Sequence, residues 1–193
     1  MQLPQARFSQ TLSLRASLHD AVSSTADLTA EIARVVGEAL SVALRDAADP
    51  ADVLEDLIPV VASGAVEGAL EIAAAIDQTA RGTLMAIVRA APEHDSDVLR
   101  TLWSAGSALL RRAHELGCDP ATVTRGAIEG AVAVAPERRI DPLVAAITAS
   151  KGALDAACDA GPEAADRVRT TMAVLLSRIA SGPTDASGAA PRP

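Results

Sequence analysis

Aromatic side chains are almost missing from this sequence: Phe8 and Trp103 are the whole set in 193 residues, and there is no tyrosine. Proteins that read RNA or single-stranded DNA stack bases on aromatic rings, so that class is excluded. Lysine is nearly absent too, with Lys151 alone beside sixteen arginines, and the formal net charge of −8 opposes a phosphate backbone. β-branched and aromatic strand formers are too scarce for a sandwich or barrel. Long apolar runs are also lacking. The longest uncharged stretches, Leu57–Val66 and Thr101–Leu110, are about half of the roughly 20 residues that a membrane-spanning helix needs. We therefore expect no transmembrane segment and no nucleic-acid partner.

Cysteine is limited to Cys118 and Cys158, which fit neither a zinc nor a redox spacing. They read as reduced thiols of a cytoplasmic protein, with a Cys118–Cys158 bridge as the alternative. The first twenty residues lack the apolar run of a secretory signal, although Arg7, Arg15 and several serines leave an organellar transit peptide as a second reading. Catalytic and metal-binding patterns are missing as well. His19, His94 and His114 have no second histidine at helical ligand spacing, and the chain holds no GxSxG, HExxH, ExxH or Gly-rich phosphate loop. We assign no catalytic residue, no metal ligand and no cofactor.

What is present is alanine, 43 residues of it, arranged with helical periodicity. Leu28, Ile32, Val35, Ala39 and Val42 step by four and three, as do Leu99, Leu102, Gly106, Leu109, Ala113 and Leu116, and then Val168, Met172, Leu175 and Ile179. Asp49-Pro50, Asp119-Pro120 and Asp141-Pro142 each place a capping carboxylate before a proline tolerated at the first helical position. These signals predict helices near 10–23, 27–47, 50–58, 60–76, 78–91, 96–116, 120–135, 142–159 and 162–181, with a kink or break at Pro59 and 60–91 either one helix or two. Trp103, beside Leu102 on an apolar seam, is expected in the core; a ligand pocket against its indole is the other reading. Residues 1–26 read as a polar segment with a short amphipathic helix, 27–181 as a helical repeat domain, and 182–193 as a disordered tail without core-forming side chains. The fold class expected is all-α, an antiparallel multi-helix bundle built from irregular single-helix repeats.

Self-similarity is the most specific feature. Val61-Ala-Ser-Gly-Ala-Val-Glu-Gly-Ala-Leu70 returns as Val123-Thr-Arg-Gly-Ala-Ile-Glu-Gly-Ala-Val132, with weaker echoes around Gly82, Gly106 and Gly152. The segments ARGTLMAIVRAA, VTRGAIEGAV and SKGALDAACDAG resemble the Ala/Gly-rich helical repeats of an uncharacterised bacterial family, over about residues 60–170. That resemblance implies a bacterial, non-secreted helical protein and carries no activity, cofactor or site residue with it.

Four glycines inside helices cost roughly 0.8–1 kcal/mol each against alanine. At 100° per residue, Gly64 and Gly68, and likewise Gly126 and Gly130, fall away from the large apolar face, on a stripe shared with Glu67 and Glu129. We take these six as the candidate helix-contact residues, within the fold or towards a partner chain, because close backbone approach compensates such glycines. We expect the two copies to occupy similar environments, and Glu67, Glu71 and Glu129 could line a shared polar groove. The function expected is a non-enzymatic helical scaffold acting by self-association or protein binding. The alternatives are a phasin-like amphipathic coat for lipid or polymer inclusions, with peripheral lipid association, and an enzyme whose site no motif reveals.

Overall fold

A computed structural model describes residues 28–45, 47–71, 75–92 and 95–181. The expected helix at 10–23 and the tail at 182–193 lie outside the described residues, as do His19 and His94. Seven helices make up the described chain: α1 (Leu28–Leu44), α2 (Pro50–Glu71), α3 (Ile76–Ala90), α4 (Asp95–Glu115), α5 (Pro120–Val134), α6 (Pro142–Ala160) and α7 (Pro162–Ala180). No strand occurs among the described residues.

The ends of these helices follow from local chemistry. Asp49 accepts from the Ala51 and Asp52 amides, Asp119 from Ala121 and Thr122, and Asp141 from Leu143 and Val144, so each aspartate satisfies donors that no helical turn precedes. Helix α4 stops where Gly117 turns to φ 76° and the Cys118 amide reaches back to the Ala113 carbonyl at 2.8 Å. Gly161, at φ 131°, is the sole residue between α6 and α7. A side chain there would be strained, and without it the chain reverses in a single step.

The break expected at Pro59 does not occur. Helix α2 runs unbroken from Pro50 to Glu71. A helical proline frees the carbonyl four residues earlier, and here Pro59 and Glu55 both belong to the exposed side of the helix, where water replaces the missing donor.

The helices alternate between two layers. Each packs against its chain neighbours and against the helix two places along, and no described helix touches one further away. Helices α1, α3, α5 and α7 form one layer, and α2, α4 and α6 the other. Consecutive helices run antiparallel through short turns, so helices within a layer run parallel. The single-helix repeat read from the sequence is therefore laid down on alternate sides of one continuous core from Ile32 to Val168. The arrangement is quasi-one-dimensional, as in solenoid proteins. Long-range side-chain hydrogen bonds obey the same rule. Arg112–Glu67, Arg89–Glu137, Arg125–Asp77, Arg167–Asp119 and Trp103–Asp155 all join partners 45 to 52 residues apart.

Glycine sets how closely helices of one layer approach. A methyl group added at Gly126 would run into the Asp77 carbonyl of α3, and one at Gly130 would lie 2.8 Å from the Arg81 carbonyl. In the same layer a methyl group added at Gly82 of α3 would lie 2.6 Å from the Thr29 carbonyl of α1. In the other layer Gly106 of α4 abuts the Ala149 carbonyl while Gly152 of α6 abuts that of Trp103. Helix α6 buries alanines, Ser150 and Gly152, and none of its large apolar residues is fully buried. Its tight fit to α4 is a fit of backbones.

Candidate interaction surface

The candidate residues are distributed across both layers. Gly126 and Gly130 are buried on α5, spent on the backbone of α3. Gly64 and Gly68 are buried on α2, in the opposite layer. The two carboxylates differ in environment as well as in place. Glu67 accepts from Ser63 Oγ at 2.7 Å and from Arg112 Nε and Nη2 at 3.1 and 2.6 Å, tying α2 to α4. Glu129 is exposed on α5. No polar groove joins them, which corrects that expectation: equivalent positions in the repeated sequence fall on opposite layers. The Glu71 side chain lies outside the described set.

Arg112 is the hub of the α2–α4 contact. Hydrogen bonds to Glu115, at 2.7 Å, and to Glu67 raise its pKa above the ordinary arginine value and keep the cation in place. No local pattern in the sequence singles out Arg112; the 45-residue offset between same-layer helices is what pairs it with Glu67.

Trp103 also departs from expectation. It is 42% exposed instead of buried, with its indole N–H donating to Asp155 Oδ2 at 2.9 Å. Its seam neighbours Leu102 and Ala105 fill the core, while the ring lies across the outside of the α4–α6 contact. Trp103 contributes its carbonyl to the crossing with Gly152, and this close approach leaves no room for an indole between the helices.

An open cleft of about 620 Å³ lies at the end of the molecule where the α4–α5 and α6–α7 turns meet, lined by His114, Cys118, Asp119, Glu163 and Arg167 among others. Its charged groups are engaged in structure. Asp119 caps α5 and accepts from Arg167 Nη1 at 3.0 Å. Burial opposes its ionisation, yet the hydrogen bonds from Thr122, Arg167 and the two backbone amides bring its pKa below the usual carboxylate value. Burial pushes the Cys118 thiol up, the direction opposite to that of an activated nucleophile. Cys118 and Cys158 are both free. No grouping of His, Cys, Asp and Glu among the described residues could hold a metal ion.

Val42 on α1 is the most exposed of the large apolar residues described, but it stands singly; a run of incompletely covered apolar residues lies at the α6–α7 end. Val168 is buried, but Met172, Leu175, Leu176 and Ile179 on the continuation of its stripe are only half-buried. Val174 and, on α6, Val144 are 53% and 44% exposed. Large exposed apolar residues clustered at one edge mark interaction surfaces.

The fold and this edge define a two-layered helical-repeat protein, and no described helix is long and apolar enough to cross a membrane. Comparison with known proteins gives little more. No family model matches the sequence, and no curated protein matches it. A de novo designed helical repeat protein of known crystal structure is similar at 19% identity and a TM-score of 0.34, over 79% of this chain and 95% of that one. The fold described above rests on the helix packing itself.

Proposed function

We propose that the protein is a non-enzymatic helical scaffold that works by self-association or by binding another protein, through the apolar edge formed by the start of α6 and the last turns of α7. The observation that carries this reading is the stripe Met172–Leu175–Leu176–Ile179, which keeps the heptad spacing of a buried seam yet stays half-covered. A seam of that spacing is suited to another helix. Sedimentation velocity over a wide concentration range tests the self-association form. A mass above the monomer is expected for the full chain, and V174E/L176E should return it to the monomer without loss of helix content. A strict monomer at high concentration counts against self-association, and an oligomer unchanged by the double substitution counts against this edge.

A further inference from the structure

We propose that the partner for the α6–α7 edge is a second copy of this chain, docked like end to like end about a two-fold axis to form a closed dimer. This rests on reading that edge as an interaction surface, and names what it binds. On a helical wheel the flank of α6 away from Gly152, and so away from α4, carries Leu143, Ile147 and Leu154, all half-buried. The flank of α7 away from Arg167, which reaches Asp119 at the start of α5, carries half-buried Leu176 with exposed Ala173 and Ala180. Both flanks look away from the preceding helix of their own layer, so they belong to one face. Elsewhere in the array that side of a helix is covered by the helix two places further along, as α4 is by α6 and α5 by α7. No described helix does this for α6 or α7.

The size of the face selects the occupant. Helices α6 and α7 have 19 residues each, so each is about 28 Å long, and with axes about 10 Å apart the pair presents roughly 550 Å². Two copies meeting here would together bury roughly 1,100 Å², above the roughly 1,000 Å² that a specific interface needs. A lone helix laid along the pair would bury about half of that and leave α6 or α7 open. The missing cover is two helices wide, and so is the same end of a second copy. The other end of the array is a poorer match. Its first described helix, α1, buries Ile32, Val35, Val36 and Leu40, whereas α7 buries Val168 alone among its large apolar residues. Like therefore meets like, and an interface that uses one patch on both partners closes at the dimer. Ala173, Ser177 and Ala180 keep the exposed flank of α7 small, so a second backbone can come close.

Sedimentation equilibrium of the full chain, with small-angle X-ray scattering for shape, tests this. The mass is expected to rise to twice that of the monomer and stay there, with a dimer longer than the monomer along the repeat axis. A173E and A180E, at exposed positions, should each weaken dimerisation at least about tenfold with helix content unchanged. E129A, on the exposed side of α5, should leave it as it is. Assembly that grows past the dimer with concentration overturns the like-to-like pairing while leaving self-association at the edge standing. A strict monomer overturns the second copy as occupant and leaves the binding of another protein. A dimer that neither A173E nor A180E weakens overturns both this pairing and the edge itself.

Discussion

Helices α5 and α7 stand in the same layer, one place apart, and are covered very differently. Helix α5 presents Gly126 and Gly130 to its predecessor, and Val123, Ala127, Ile128, Ala131 and Val134 are buried, with Val132 the one large apolar residue left half-covered. On α7 the corresponding flank carries Thr171 and Val174, and burial stops after Val168. Two differences separate the cases. Where glycine stands on α5, backbones meet and the seam closes, and helices on both sides cover it; α7 carries larger side chains on that flank, and no described helix follows it to cover its stripe. Apolar content does not explain this, because α7 holds more large apolar side chains than α6, which is buried through alanine and glycine.

That contrast can be broken at its strongest point by Gly126→Val. Two added branches would have to enter space held by the Asp77 carbonyl and the Ala80 side chain. Overpacking of this kind costs about 3 kcal/mol, exceeding any gain in helix propensity. Urea denaturation should show the midpoint falling sharply, and a midpoint at or above the parent value would mean that the layers tolerate wider spacing. Glu67→Ala should cost less, about 1–2 kcal/mol, by removing a half-buried acceptor that Arg112 and Ser63 share. The loss should appear in α2 and α4 and leave α6–α7 untouched by hydrogen exchange.

Gly37→Ala sharpens the comparison by reversing the sign. Nothing lies within 4 Å of a methyl group at Gly37 on α1, so the substitution should stabilise by about 0.8–1 kcal/mol through helix propensity alone. Thermal unfolding of G37A and G126A side by side then separates glycines that the packing needs from one that it does not. The smallest expected effect concerns pH. Hydrogen bonds from Arg89 hold the Glu137 carboxylate below the ordinary glutamate value. A depressed carboxylate adds stability above its unfolded pKa, and that stability is lost as pH falls through the folded one. Glu137→Gln should therefore flatten the acid limb of the stability profile slightly and leave the neutral region almost unchanged, as fits an exposed pair.

Much of this was legible in the residues. Each Asp-Pro step is a helix start, because capping and proline act within one turn and need no tertiary information. The glycines were legible as costly, hence as contacts. What the chain hides is which helix meets which. Gly64, Gly82, Gly106, Gly126 and Gly152 form one series in the sequence, but alternate members belong to opposite layers, so the meaningful intervals are the 44 residues from Gly82 to Gly126 and the 46 from Gly106 to Gly152. Trp103 shows the same limit. Its seam position indicated burial, whereas the Gly152 crossing beneath it leaves no space for an indole between the helices.

The confinement of contacts among the described helices to partners one or two places apart has a kinetic consequence. None of these contacts has to wait for a distant part of the chain, so the entropy lost in closing loops is small and comes in similar steps. Such a chain can assemble during its own synthesis, each new helix finding its two predecessors already in place. Premature termination at a helix boundary would then yield a shorter protein still largely folded, with a fresh uncovered face at its end.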